Sequence, residues 1–495
     1  MSAQKLSVVG FYEDKKIFIT GGTGGIGKLL LEKLLRCCPK IGCIYLLVRP
    51  KKGKTSAQRL SDLLDSPVFD KLRCYDSEVF SKIGLIEGDL SLPSLGISDE
   101  DKEKLIRNIS IVFHCAASVR FDMTLEEAVE SNVFGTRRLL QLCQEMIEIE
   151  VLLHVSTLYS TCHKVTVDEC IPVIPTINGS MDFNQNKDDF LKTIPLEVAK
   201  KWPNTYTFSK ALTEVMLDNL KGRVPVSIVR PSIILSTWKD PIPGWVDNFH
   251  GPTLTVVNGA LGIIRSVVAD GKKIGDVIPS DMVVNLLICV AHKTKYQDTE
   301  EIRVYNICSG RQNPLTVKFF LKESQILSTM YPSKAAIRYP NWRFTPSELT
   351  HKLRSAVHHH LVAYIFDLVA FCTFKKSRLS RIHRSVSRIA KTTKFFSLRE
   401  WIVCDRNVEI LNEELSDKDR EVFEFDVKKI NWKAWLKDYI LGIRKHLLKE
   451  DLDNLDEAIA RMKKLYWVEN IVQSSIPIVA FFIIYFMIKR SRRRH

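Results

Sequence analysis

A strand, a glycine turn and a helix in immediate succession constrain this chain more than any other stretch. Lys16-Ile-Phe-Ile-Thr20 is a short apolar run that reads as a buried strand. Gly21-Gly-Thr-Gly-Gly-Ile-Gly27 follows it, and Ile26–Leu35 continues with apolar residues at helical spacing. The pattern T-G-x-x-G-x-x-G, with Gly21, Gly24 and Gly27 in the fixed places, folds the backbone sharply after a strand. It also leaves the first N–H groups of a helix open to a pyrophosphate. A glycine-rich loop holding nothing is the alternative, but it gives no reason for a strand and a helix on either side. The residues expected around a dinucleotide are Thr20, Gly21, Thr23, Gly24, Gly25, Ile26 and Gly27.

Further apolar runs extend this beginning. Ile44–Val48, Ile83–Glu87, Ser110–His114, Val151–Val155 and Val226–Arg230 read as buried strands, and helical patterns separate most of them. Continuous apolar strands alternating with helices predict an α/β fold with a Rossmann-like, doubly wound parallel sheet. From about residue 350 the strand signals fade, and charge and helical periodicity rise. The expected organisation is a catalytic Rossmann-like domain over residues 1–350, a mainly helical domain over 351–465 and a membrane segment over 471–488.

The chain has 495 residues and a formal net charge of +15, so anionic partners are favoured and the distribution of charge must choose among them. Its 12 cysteines form no C-x-x-C pair, and Met1–Lys16 is polar, so the thiols are expected to be reduced and to serve packing. The basic excess lies beside apolar segments and no reader motif is present, so no nucleic acid is expected. Consecutive histidines 358–360 point different ways on a helix, and no metal is expected.

The end of the second strand selects between NAD and NADP, because NAD binders place an acid there for the ribose 2′-OH. This chain has Val48-Arg49-Pro50-Lys51-Lys52-Gly53-Lys54, four cations and no acid. A 2′-phosphate suits that run, so NADPH is the expected cofactor and Arg49 its contact. Asp89, after the third strand, is placed near adenine. Ala116 and Ala117, after the fourth, offer small side chains where backbone must approach the cofactor.

Tyr206-Thr-Phe-Ser-Lys210 puts a phenol and an ammonium one helical turn apart on one face. A nearby ammonium is expected to lower the phenol toward neutrality, and Tyr206 would give its proton to a carbonyl oxygen as hydride arrives. Ser156 and Thr157 end the fifth strand, at the carboxyl edge where such sheets bind ligands. Thr157 is the preferred hydroxyl for the substrate oxygen, with Ser156 next.

In their order along the chain, His114-Cys-Ala-Ala-Ser-Val-Arg-Phe121, Asn132-Val-Phe-Gly-Thr136, His154-Val-Ser-Thr157, Tyr206–Lys210, Arg230-Pro-Ser232 and Pro241–Pro252 resemble the fatty acyl-CoA reductases, an extended branch of the short-chain dehydrogenase/reductases. The likeness extends to Phe395–Trp401, Phe423–Asp426 and Tyr439–Gly442. Gly25 departs from it, standing where such reductases often carry a bulky apolar residue. The resemblance implies a long-chain acyl-CoA substrate and two hydride steps, through an aldehyde to a primary alcohol, with release of CoA. A sterol-type or nucleotide-sugar enzyme, or a silent membrane-tethered scaffold of the same fold, are the competing readings.

Residues 471–488 are 18 largely apolar residues, near the minimum for crossing a bilayer, with Tyr466 and Trp467 placed for its interface. The stretch 360–374 is apolar but too short to span singly, and Lys375–Lys394 carries eight Lys or Arg and no acid. Membrane lipid is therefore an expected partner. The catalytic domain would face the cytosol from the peroxisomal or endoplasmic reticulum membrane.

Overall fold

The computed structural model describes the backbone of residues 7–174, 181–297, 301–356 and 393–491, and side chains within these except at 454, 472 and 475–491. Seven parallel strands form the central sheet: β1 Lys16–Thr20, β2 Cys43–Val48, β3 Ile83–Glu87, β4 Ile111–His114, β5 Val151–Val155, β6 Val226–Pro231 and β7 Arg303–Ile307. Their order across the sheet is β7-β6-β5-β4-β1-β2-β3. The winding reverses between β1 and β4, which opens a crevice at their carboxyl ends. Six of these strands coincide with the apolar runs. The seventh, Arg303-Val-Tyr-Asn-Ile307, was not anticipated.

Helices α1 Gly25–Cys37, α2 Ser56–Leu64, α3 Asp99–Asn108, α4 Gly135–Glu145, α5 Thr205–Leu220 and α6 Ser280–Lys295 make the crossovers and flank the sheet. Helices cover both faces, so successive strand residues are buried whichever way they point. Ile17, Phe18 and Ile19 of β1 and Val112 and Phe113 of β4 are fully buried. Burial of each such side chain contributes roughly 1.5–3 kcal/mol.

The chain forms two compact units: one of residues 1–246, 274–315 and 399–431, the other of 247–273, 316–398 and 432–495. The units interleave along the chain, unlike the contiguous division at residue 350. In the first unit, Ile402–Val403 pairs in parallel with Thr166–Val167. Glu169 accepts from the backbone N–H groups of Asn306 (3.2 Å) and Asn407 (2.8 Å). Among the described residues the second unit is mainly helical, with Gly251–Ala260, Val317–Met330 and Trp432–Gly442 as principal elements and one small strand pair, Ser266–Val268 with Arg343–Thr345.

The second unit ends in the helix Leu455–Ser491. Among the described residues no helix is long and apolar enough to cross a membrane. The expected span at 471–488 lies, from residue 475 on, outside the residues whose side chains are described. The histidines at 358–360, the apolar stretch 360–374 and all but the last two residues of the basic run 375–394 lie outside the described residues altogether.

Candidate active site

The turn after β1 packs backbone against backbone and has no room for side chains. Gly21 adopts φ +75°, and a Cβ there would lie 2.6 Å from the Ala116 amide nitrogen. A Cβ on Gly27 would lie 2.3 Å from the Gly21 carbonyl oxygen. Both positions therefore require glycine. Gly24 caps α1 in an extended conformation without a side-chain hydrogen bond, and the first turn carries no acid. The helix thus presents unsatisfied N–H groups and its positive end, which suits a pyrophosphate. The Ala116 backbone stands against this turn.

Thr20 has a different place from the one expected. Its hydroxyl is buried and bonded to His114 Nδ1 at 2.6 Å, joining the ends of β1 and β4 rather than facing a ligand. Thr23 accepts from Arg59 Nη2 at 3.0 Å. Arg59 also donates to the Arg49 carbonyl. The capping box of Thr55 and Gln58 starts α2 and so sets Arg59 beside the end of β2.

Asp89 does not stand free for adenine, because its carboxylate receives Arg49 Nη1 at 2.9 Å. Burial would raise the Asp89 carboxyl, but hydrogen bonds from Ser91 and Arg49 hold it below its ordinary value. The cations around it repel one another. Lys51 is pushed down by burial and then by Arg49, Arg59 and Lys52, and Arg59 by burial and then by Arg49. An anion among Arg49, Lys51 and Arg59 would relieve that repulsion.

Helix α5 carries the second half of the site. Asn204 caps it by accepting from Thr207 N at 2.9 Å. That starts the helix one residue before Tyr206. Thr157, just past the end of β5, stands beside the half-buried Tyr206 and is the polar side chain that acts on its phenol. Burial pushes that phenol up to about 12, with Thr157 opposing.

The expected lowering by Lys210 is absent, for a geometric reason. The Lys210 ammonium donates to the Val155 carbonyl at 2.7 Å and contacts His154 Nε2 at 3.1 Å. It is therefore held by β5 rather than against the phenol. A phenol titrating near 12 keeps its proton at neutral pH, which is the state a general acid needs. Phe121 stacks on the Tyr206 ring at 5.8 Å.

Ser156 belongs to another network. Its hydroxyl donates to Glu214, which is paired with Arg230 at 2.5 Å, both carried on fully buried side chains. Arg230 also donates to the carbonyls of Asp168 (2.9 Å) and Cys170 (2.8 Å). Residue alternation explains the split, since the extended backbone at Thr157 points neighbouring side chains to opposite sides. The sequence reading missed His154, Glu214 and Arg59. The histidine had a signal, being the polar residue in an otherwise apolar strand core.

Two family models, both described as male sterility protein, match this chain. An NAD-binding model covers residues 19–287 and a second, named Sterile, covers residues 358–450. Fatty acyl-CoA reductase 2 of Homo sapiens is 37% identical over 480 residues, covering 96% of this chain and 92% of its own. Fatty acyl-CoA reductase 1 of Gallus gallus is 36% identical over 466 residues, covering 93% and 90%. Among solved structures, the terminal R domain from the myxalamid PKS-NRPS pathway superposes with a TM-score of 0.60 at 17% identity, covering 89% of this chain and 93% of that one. The reductase domain of a nonribosomal peptide synthetase from Mycobacterium tuberculosis gives 0.58 at 15% identity, covering 87% and 92%. At such identities these two structures establish the fold alone.

Proposed function

The chain belongs to the fatty acyl-CoA reductase family, and from that premise we propose that it reduces a long-chain acyl-CoA to the primary alcohol with two equivalents of NADPH. The observation that carries this reading is the placing of Tyr206 beside Thr157 at the carboxyl end of β5, with Phe121 stacked on its ring at 5.8 Å. Similarity to fatty acyl-CoA reductases over 96% of the chain supports this reading over the sterol-type and nucleotide-sugar ones.

A nicotinamide cofactor fits the residues present, because α1 begins at Gly24 with no side-chain cap and no acid in its first turn, leaving N–H groups and the positive end of the helix for a pyrophosphate. Gly21, Gly24 and the start of α1 would hold its pyrophosphate. The mutual repulsion of Arg49, Lys51 and Arg59 supports a 2′-phosphate there and hence NADPH. Bound NADPH would supply hydride to the carbonyl carbon.

The protein's own groups manage the oxygen. Thr157 orients the carbonyl oxygen, and Tyr206 delivers a proton to it as negative charge develops. The thioester carbonyl thereby becomes a hemithioacetal. Its C–S bond then breaks as the hydroxyl proton returns to the Tyr206 phenolate, giving an aldehyde, CoA as the thiolate and a phenol ready to donate again. The aldehyde carbonyl takes a second hydride and a second proton from the same phenol, giving the alcohol. Lys210 holds one N–H in reserve for the cofactor ribose.

The protein is proposed to sit on the peroxisomal or endoplasmic reticulum membrane through residues 471–488, with its catalytic groups in the cytosol. Exposed Tyr466 and Trp467 on the last helix support this, since such rings favour a membrane interface. Incubating membranes bearing the protein with NADPH and acyl-CoAs of several lengths tests the reading. Alcohol with two NADPH consumed per CoA released is expected. Aldehyde alone would end the reaction after CoA release, and absence of both products would overturn it.

A further inference from the structure

The lysine of the site rests on a buried row of polar side chains that crosses three strands of an otherwise apolar sheet. Thr20 of β1 stands in register with His114 of β4, and His114 with His154 of β5. The two imidazoles lie with ring centroids 5.1 Å apart, and His114 and His154 are at most 1% exposed. Polar side chains at such positions cost stability unless their bonds are placed for a purpose.

Counting protons fixes how this row is bonded. Thr136 gives its one hydroxyl proton to the Asn132 carbonyl at 2.6 Å, so at His114 Nε2, 2.8 Å away, it accepts. His114 therefore carries its proton on Nε2 and accepts from Thr20 at Nδ1. At the other end, the Lys210 ammonium has no lone pair, so His154 Nε2 accepts from it and His154 carries its proton on Nδ1. Nδ1 of His154 has no hydrogen-bond partner among the described residues, so Nε2 makes its one hydrogen bond. Lys210 has three N–H groups. Val155 O and His154 Nε2 take two of them and thereby aim the third.

We propose that His154 is a positioning residue for the reduction: as a neutral acceptor on the Lys210 ammonium, it fixes the direction of the one N–H left for the cofactor ribose. Behind it the His114 ring packs on His154 and is bonded to Thr20, which immediately precedes Gly21. This inference rests on the reductase reading, since it gives Lys210 a ribose to meet. The groups facing Lys210 are few. They are His154 and, behind it, His114 from β5 and β4, Cys115 from the turn after β4, and Glu214 one helical turn on along α5. Burial pulls the ammonium down to about 8 while Glu214 and then Cys115 oppose. Loss of the His154 acceptor removes a further support for the charged form, so its loss moves deprotonation to lower pH.

The test compares two conservative variants of the full-length, membrane-bound protein. His154→Gln places an amide oxygen where Nε2 stands, and His154→Asn places it nearer the Nδ1 position, away from Lys210. The expected result is near-normal kcat for His154→Gln. For His154→Asn, kcat should fall about tenfold to a hundredfold with KM for acyl-CoA little changed, the loss expected of one charge-assisted hydrogen bond. The alkaline limb of the Asn variant's pH profile should also move to lower pH. Equal activity of the two variants, or equal loss in both with an unmoved pH limb, overturns the proposal. Wild-type turnover of acyl-CoA in the same membranes tests the reductase reading separately. A silent wild type sinks that reading, whereas an active wild type with indistinguishable variants sinks only the role of His154.

Discussion

Thr157 stands beside the Tyr206 phenol, whereas Ser156, one residue earlier, donates to Glu214. Two adjacent hydroxyls at the end of one strand thus serve different ends. One stands beside the phenol proposed as the acid, and the other donates to a buried ion pair.

Replacing them separates these duties. Thr157→Ala is expected to lower kcat about tenfold to a hundredfold with little change in melting temperature. Ser156→Ala is expected to do the reverse, costing about 1–3 kcal/mol of stability by leaving the buried Glu214 short of a donor. Steady-state kinetics and thermal melts of the two variants, run side by side, decide it. Matching profiles would mean the hydroxyls are interchangeable.

Tyr206→Phe removes the proton donor and keeps the ring that stacks on Phe121. Turnover should drop by about 10²- to 10⁴-fold. NADPH binding, followed by fluorescence of the reduced cofactor, should stay near the wild-type value. Turnover within threefold of wild type would remove Tyr206 as the acid.

Arg49 and Arg59 should discriminate between cofactors. Either residue changed to Ala is expected to weaken NADPH by about tenfold to a hundredfold, the cost of a charge-assisted hydrogen bond, and to leave NADH nearly unchanged. Equal weakening of both cofactors, measured by titration, would place the 2′-phosphate elsewhere.

The pH dependence has a definite sign. Lys210 is required as the ammonium, and burial brings it down from 10.5 to about 8. Activity should therefore be flat below that value and decline as pH rises through about 8. In Lys210→Arg, whose guanidinium stays charged, the remaining activity should lose this alkaline limb. A limb that persists in that variant would belong to another group.

Deleting residues 471–495 should move the protein from the membrane pellet to the supernatant in carbonate-washed fractions. Continued pelleting would place the attachment in residues 360–394.

Much of this site was legible because its spacing is local. The glycine turn sits between a strand and a helix, and Tyr206 and Lys210 share a face by helical periodicity alone. What the sequence concealed depends on contacts between distant segments. The strand Arg303–Ile307 is broken by Asn306, which is tolerated because its side chain donates to the Cys404 carbonyl at 2.7 Å, about a hundred residues later. The direction of Lys210 is set by His154, which its own helix does not contain. Arg59 lies ten residues beyond Arg49 and reaches it only because Thr55 and Gln58 start a helix between them. A capping box is readable in Thr55-Ser-Ala-Gln58, so that placement was within reach of the sequence.

The interleaving of the two compact units bears on the order in which a ribosome delivers them. By residue 350 the glycine turn, Thr157, Tyr206 and Lys210 have all been synthesised. The segment 399–431, which pairs Ile402–Val403 with Thr166–Val167 and brings Asn407 to Glu169, has not. A nascent chain thus holds every reactive group of the site long before the unit that houses them is closed. Chains stalled at residue 398 should be cut readily by protease around residues 165–170, and chains released beyond residue 431 should resist.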